Sequence, residues 1–133
     1  MQNVMAIDPG SEKCGVAIVA EGGEVLHRAV VAKQEILDAV SKLLPKYAPV
    51  ALILGKGTGS KPLVQRFKAA NLGVPIELRD ESHTSEEARR RFVAENPPKG
   101  WNRLLPRSLR TPDAPYDDYV AIILGERFWK EKL

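Results

Sequence analysis

Two kinds of hydrophobic pattern alternate along the chain. Short apolar or alternating runs, several of them ended by turn signals such as Pro9-Gly10 or Gly22-Gly23, are typical of strands. Longer stretches place their apolar residues three and four positions apart, which is typical of helices that bury one face. The patterns predict strands at residues 4–8, 15–20, 24–31, 50–54 and 74–78, and helices at residues 33–47, 62–71, 84–95 and from about 117 to the end.

The order of these elements predicts an α/β fold. Three strands joined by hairpins, followed by right-handed strand-to-helix crossovers, make a mixed five-stranded sheet with helices on its faces. Residues 97–115 contain five of the ten prolines and are predicted to be irregular. The length suits one domain over residues 1–133, since typical domains have about 100–150 residues. The sequence shows no internal repeat and no low-complexity segment.

Composition excludes several classes of protein. Hydrophobic residues make up 44% of the chain and charged residues 28%, an ordinary balance for a globular protein. The apolar runs are far shorter than the roughly 20 residues of a membrane span, and no secretory signal is visible. A single cysteine, Cys14, excludes an intrachain disulfide framework and a cysteine-based zinc site. We therefore expect a cytoplasmic protein without a membrane partner, and leave open whether it is a monomer or a homodimer.

Basic residues are concentrated late in the chain. The net charge of +3 is only a mild indication of a polyanionic partner. A stretch of 22 residues, however, combines one possible stacking aromatic with seven basic side chains: Trp101, Arg89, Arg90, Arg91, Lys99, Arg103, Arg107 and Arg110. A nucleic-acid contact surface and a solvated helix face followed by a loop explain this stretch about equally well.

Acidic residues stand at the ends of three predicted elements. Asp8 ends the first strand, Glu81 follows the fifth strand, and Asp117 and Asp118 open the last helix. Open α/β sheets bind ligands at the carboxyl ends of their strands, so these side chains can converge if the first and fifth strands lie near the centre of the sheet. Clustered carboxylates repel one another unless protons or cations neutralise them. Oxygen ligands favour Mg²⁺ or Mn²⁺, and two such ions about 4 Å apart support phosphodiester hydrolysis.

Each acidic residue also has a simpler explanation when it is taken alone. Asp8 before Pro9-Gly10 fits ordinary turn chemistry. Glu81 fits an exposed loop, and Asp117 and Asp118 fit the charge preference of a helix N-terminus. Only the joint placement of all three at element ends favours a metal site.

Four segments together resemble one known family. Residues 6–17, 52–55, 80–88 and 116–124 resemble, in the same order, the motifs of the YqgF/RuvX family of RNase H-like nucleases. The last segment also resembles the closing helix of RuvC resolvases. The resemblance covers essentially the whole chain, and its specificity comes from the set of four motifs, because each motif alone is loose.

The resemblance implies an RNase H-like fold and a metal-dependent nuclease that acts on branched DNA or structured RNA. Family roles are pre-16S ribosomal RNA maturation and Holliday-junction resolution. Carried over by position, the catalytic carboxylates are Asp8, Glu81 and Asp117, which would hold two Mg²⁺ or Mn²⁺ ions with Asp118 as a further possible ligand. Apolar stripes lie below both Asp117 and Asp118, so periodicity does not choose between them.

Two departures from the family pattern bear on activity. Ser82-His83 stands where the family usually has a basic residue, and Gly55-Lys56 stands where RuvC-type resolvases have a further acid. The second departure favours a general nuclease over a junction resolvase. Both keep open an alternative function, a non-catalytic RNase H-like module that binds nucleic acid.

Several further residues are predicted to contact nucleic acid. Lys13 lies within the first motif, and Lys56 and Ser60 belong to a glycine-rich loop that can approach a phosphate, although a plain flexible turn explains that loop equally well. The basic late segment contributes the other candidates, which are Arg89, Arg90, Arg103 and Arg107. Such contacts position a nucleic acid without reading its sequence.

Overall fold

A computed structural model describes residues 2–10, 12–57, 60–80, 84–95 and 117–131, without the side chains of residues 84, 85, 89, 92, 93, 95 and 117. The strands are β1 (Asn3–Pro9), β2 (Lys13–Ala20), β3 (Val25–Ala32), β4 (Leu52–Gly55) and β5 (Ile76–Arg79). The helices are α1 (Ile36–Tyr47), α2 (Ser60–Ala70), α3 (Thr84–Glu95) and α4 (Asp117–Glu131). Every predicted element is present, and only the ends differ. The clearest difference is at residues 33–35, which form a 3₁₀ turn before α1.

The sheet has the strand order β3-β2-β1-β4-β5. β1 pairs antiparallel with β2 and parallel with β4, which confirms the predicted mixed five-stranded sheet. The convergence of the acidic residues was expected on the premise that the first and fifth strands both lie near the centre of the sheet. That premise holds for β1 but not for β5, which is an edge strand beyond β4.

Each face of the sheet carries its own hydrophobic core. Even-numbered residues of β1, such as Val4 and Ala6, pack with α3 and α4, and its odd-numbered residues Met5 and Ile7 pack with α1 and α2. This division follows from the alternation of side chains along a strand. Phe67 of α2 is fully buried in the second core, and a side chain of this kind stabilises the fold by about 1.5–3 kcal/mol.

α4 lies close against β2. A Cβ atom added at Gly125 would lie 2.6 Å from Cγ2 of Val19, so a side chain here would force the helix and the strand apart. Near the end of α4, the indole Nε1 of Trp129 donates a buried hydrogen bond of 2.9 Å to the carbonyl oxygen of Val19. Val19 pairs with Val4 near the start of β1. The later turns of α4 therefore lie beside the amino end of β1.

α4 is also buried around most of its circumference. Six consecutive residues, from Tyr119 to Leu124, belong to one core cluster with β1, β2, β4 and α3. This burial explains why the apolar stripes below Asp117 and Asp118 look equivalent in the sequence, since both of them contact neighbouring elements. None of the helices in the described ranges is long and apolar enough to cross a membrane.

Candidate active site at the carboxyl end of β1

Asp8 lies at the carboxyl end of the central strand. It pairs with Gly15 of β2, is half-buried, and shares the strand alternation of Val4 and Ala6. Its position in the alternation places it on the face covered by α3 and α4. The carboxylate therefore lies on the face to which α4 also contributes its first turn.

Gly10 closes the turn that follows Asp8. Its backbone N–H donates a hydrogen bond of 3.0 Å to the carbonyl oxygen of Lys13. A Cβ atom at this position would overlap that same oxygen, so only glycine allows the turn to close. The Pro9-Gly10 signal in the sequence therefore marks a turn with a steric requirement, which fixes where β2 begins relative to Asp8.

The parallel strands end at the same margin of the sheet. Ile7 pairs with Leu54, and Gly55 pairs with Arg79, so Asp8 stands level with the last residues of β4 and β5. With strands about 4.8 Å apart, the backbones of β1 and β5 are separated by about 10 Å. Asp80 follows β5 directly at this margin. Glu81, the predicted second carboxylate, lies outside the described residues.

Asp118 is held in the first turn of α4 by a side chain from β3. Nε of Arg28 lies 2.9 Å from Oδ2 of Asp118, and the exposed fraction of the Asp118 side chain is only 14%. The Arg28 guanidinium also lies over the ring of Tyr119, 4.2 Å from its centroid. Arg28 pairs with Ala17, which in turn pairs with Ala6 of β1. The start of α4 is thus tied to the half of the sheet that contains Asp8.

Arg28 remains charged in this setting. Its partial burial acts to lower the pKa of the guanidinium, but the contacts with Tyr119 and Asp118 outweigh burial and raise the pKa above its ordinary value. A guanidinium is already protonated throughout the physiological range. The ion pair with Asp118 therefore persists as long as the carboxylate is ionised. Sequence reasoning missed Arg28, whose only signal is a basic residue within an alternating strand.

The Oδ1 atom of Asp118 is a candidate ligand for a cation. Oδ1 is buried and has no hydrogen-bond partner within the described part of the chain. A buried acceptor without a partner costs about 1–3 kcal/mol, so a water or a metal ion at this atom would relieve a real penalty. The described residues alone contain no group of three or more possible metal ligands. The predicted set needs Glu81 and the side chain of Asp117, which lie outside them, and it stays a prediction.

The residues predicted to contact nucleic acid divide into four groups. Lys13 and Lys56 are exposed at the site margin, and the backbone N–H of Lys56 donates to the carbonyl oxygen of Arg79 at 2.9 Å. Ser60 is buried at the start of α2, which leaves its hydroxyl little access to a phosphate. Arg90 is exposed and lies 3.9 Å from Glu86. The remaining candidates lie outside the described atoms: the side chain of Arg89 and the whole of Arg103 and Arg107.

Comparison with known proteins gives matches at the level of structure. No family model matches the chain, and no curated protein matches it. Thermus thermophilus RuvC in complex with a Holliday junction substrate is 20% identical with a TM-score of 0.61, over 98% of this chain and 96% of that chain. A second Thermus thermophilus RuvC structure is 19% identical with a TM-score of 0.60, over 93% and 90% of the two chains.

A viral enzyme has the same architecture. Fowlpox virus resolvase, in complex with its substrate Holliday junction DNA, is 13% identical with a TM-score of 0.62, over 99% of both chains. At these identities the likeness concerns the fold, and the predicted fold class is confirmed. The YqgF/RuvX motifs remain a resemblance in the sequence. The chain therefore has the RNase H-like fold that these resolvases share.

Proposed function

We propose that this protein is a nuclease that hydrolyses phosphodiester bonds in branched DNA or structured RNA. One observation carries the proposal: a half-buried aspartate ends the central strand on the face where α4 begins with a second, largely buried aspartate. Arg28 already pairs with Oδ2 of Asp118 and balances its charge, so repulsion between the two carboxylates does not by itself require a metal ion. The unpartnered Oδ1 of Asp118 supports a bound cation.

The metal-binding part of the proposal assigns roles to named carboxylates. Asp8, Glu81 and Asp117 would hold Mg²⁺ or Mn²⁺, and Asp118 would contribute its buried Oδ1. Ions in such a set activate a water and stabilise the leaving oxygen of a phosphodiester. Arg28 has a separate task, since it holds Oδ2 of Asp118 and fixes the orientation of that carboxylate. Lys13, placed by the Gly10 turn, would contact a phosphate next to the cut.

Four-way DNA junctions are the first substrate to test. The Thermus RuvC and Fowlpox resolvase structures were solved in complex with such junctions, and both match nearly the whole of this chain. Gly55, the last residue of β4, and Lys56 stand where RuvC-type resolvases carry a further acid, so the chain would work with a reduced acidic set. The YqgF/RuvX motifs support structured RNA, such as precursor ribosomal RNA ends, as the second substrate.

The decisive experiment compares Asp8→Asn with the parent chain on junctions, single strands and precursor ribosomal RNA ends, in Mg²⁺ and in Mn²⁺. We expect cleavage to fall at least about a thousand-fold, equivalent to about 4 kcal/mol of transition-state stabilisation. Asp38→Asn is the matched control, because Asp38 is an exposed aspartate of α1 and its loss should not change cleavage. Circular dichroism checks that both variants fold.

The outcomes separate the proposed nuclease from the alternative function. Equal cleavage by Asp8→Asn and the parent would exclude this site. Salt-dependent binding without cleavage in either metal would instead support a non-catalytic nucleic-acid-binding module. Asp117→Asn and Asp118→Asn, measured side by side, decide which of the two acids is essential.

A further inference from the structure

A basic groove lies at the same end of the sheet as the candidate active site, and Arg66 reaches it from α2, which covers the opposite face of the sheet from Asp8. The groove has a volume of about 620 Å³ and is lined by Glu12, Lys13, Ala32, Lys33, Gln34 and Arg66. The three cations outnumber the single carboxylate, so the groove is positively charged. Lys33 and Arg66 were not singled out from the sequence, because an isolated basic residue in a turn or on an exposed helix face carries no signal.

Backbone hydrogen bonds connect the start of β2 to the end of β3 where these residues line the groove. Lys13 is the first residue of β2 and pairs with Ala32, the last residue of β3. The backbone N–H of Lys33 donates to the carbonyl oxygen of Glu12 at 2.8 Å and continues this ladder by one step. Arg66 contributes from the exposed side of α2. The three basic residues therefore stand on three elements whose relative positions are fixed by pairing and packing.

The groove lies at the same end of the sheet as Asp8. Asp8 pairs with Gly15, and Lys13 stands two residues further along β2. From strand spacing and rise per residue, the Cα atoms of Asp8 and Lys13 are about 8 Å apart. A strand of nucleic acid whose phosphate lies at Asp8 would pass around the end of the sheet to reach Lys13, Lys33 and then Arg66 of α2, a path of a few nucleotides since stacked bases rise about 3.4 Å each.

Arg66 differs in its partners from the other arginines whose side chains are described, whereas Lys13 and Lys33 resemble most described lysines in making no ion pair. Arg28, Arg79, Arg91 and Arg127 each make an ion pair with a carboxylate. Across the described ranges, no ion pair involves Lys13, Lys33 or Arg66. A cation without a carboxylate partner can neutralise a phosphate and release its counterion without first breaking an internal contact.

We infer that this groove, formed by Lys13, Lys33 and Arg66, binds the phosphodiester backbone of the nucleic-acid substrate on the side of the cut away from α4. The inference rests on the proposed function, because it takes the scissile phosphate to lie at Asp8. The contacts are to phosphate and carry no sequence preference. By binding these phosphates, the groove keeps the nucleic-acid strand at a fixed position relative to the carboxylates.

The test measures binding of a fluorescent four-way DNA junction as a function of salt, using the Asp8→Asn chain to prevent cleavage. The groove variant carries Lys33→Gln and Arg66→Gln. We expect its affinity to fall about tenfold near physiological salt. The slope of log affinity against log salt should fall by close to two, since each phosphate that a side chain neutralises contributes about 0.9 to it.

The matched control removes the same charge elsewhere. Lys42→Gln and Lys46→Gln lower the net charge by two on α1, where both lysines are exposed. This control should change the slope much less than the groove variant. Equal weakening by both variants would show that only net charge matters, and an unchanged groove variant would show that the strand runs elsewhere; either result overturns the inference.

A second pair of measurements keeps this inference separate from the proposed function. The groove variants are also made with Asp8 intact and assayed for cleavage, where a raised KM with little change in kcat is expected. Normal cleavage with an unchanged salt slope would overturn the groove and leave the nuclease standing. Groove-dependent binding by a parent chain that never cleaves would leave the groove standing and overturn the nuclease.

Discussion

The two basic regions of this protein use their charge differently. On the α3/α4 face, Arg91 lies 2.7 Å from Glu126 and Arg127 lies 3.5 Å from Glu87, so these arginines connect helices. At the start of β2, Lys13 and its neighbours in the groove are available to an external anion. A run of arginines in a sequence therefore identifies a binding surface only when the folded chain leaves them without internal carboxylate partners.

The largest effect on stability is expected from Gly125→Val, which disrupts the close contact between α4 and β2. The new side chain would overlap Val19 and push α4 off β2, which should lower the free energy of unfolding by about 2–3 kcal/mol. Gly22→Ala is the control, because nothing lies within 4 Å of a Cβ atom there. Denaturant unfolding of the two variants gives the comparison, and equal midpoints would mean that α4 is free to move.

The next effect concerns the ion pair that holds Asp118. Arg28→Gln leaves the carboxylate without its cation and should lower the free energy of unfolding by about 1–2 kcal/mol, since a largely buried acceptor loses its partner. Lys42→Gln is the matched control: its partner Asp38 has a side chain that is 74% exposed, so the loss there should stay below about 0.5 kcal/mol. Similar losses in both variants would contradict the structural role of Arg28.

Arg91 and Arg66 test the comparison most directly. Arg91→Gln should lower the free energy of unfolding by about 1 kcal/mol, because its pair with Glu126 is partly buried, and should leave the salt slope of nucleic-acid binding unchanged. Arg66→Gln should do the reverse, with unchanged stability and a slope lowered by about 0.9. Thermal unfolding and salt titration of both variants supply the four measurements. A variant that changed both the free energy of unfolding and the salt slope would contradict the division between the two basic regions.

The smallest effect is expected from Arg90→Gln. The Arg90 side chain is 75% exposed and its distance to Glu86 is 3.9 Å, so the free energy of unfolding should change by less than about 0.5 kcal/mol. Its effect on binding tests whether the late basic segment, residues 89–110, contacts nucleic acid as the sequence predicts. A salt slope lowered as much as by Arg66→Gln would extend the nucleic-acid surface onto α3.

Most of the fold was predictable because each element carries a local signal. The apolar runs of β1 and β4, the alternating residues of β3 and the helical spacing of α1 depend only on which faces are buried, and strand pairing then follows from hairpins and crossovers. The edge position of β5 was not predicted, although Pro75 and the charged Glu77 interrupt the apolar residues of this segment and both are more typical of edge strands than of central ones.

The sequence was sufficient to predict an acidic residue of the site at a strand end, but it did not predict the contacts of the site residues. The position of Asp8 between an apolar strand and Pro9-Gly10 was sufficient to place it at a strand end. The partner of Asp118 was not predictable, because Arg28 lies 90 residues away and reaches it only through the packing of α4 on the sheet. The groove was missed for the same reason, since Lys13, Lys33 and Arg66 come together only in the folded chain.

The turn closed by Gly10 has a consequence for where a bound strand would be cut. The pairing of Asp8 with Gly15 and the hydrogen bond from the Gly10 N–H to the carbonyl oxygen of Lys13 fix the backbone distance between Asp8 and Lys13. The turn then sets a constant distance between the phosphate that is bound at Lys13 and the phosphate that reacts at Asp8. Products from unrelated sequences should carry ends at a constant offset from the branch point, and longer side chains in place of Gly10 should scatter those ends over neighbouring nucleotides.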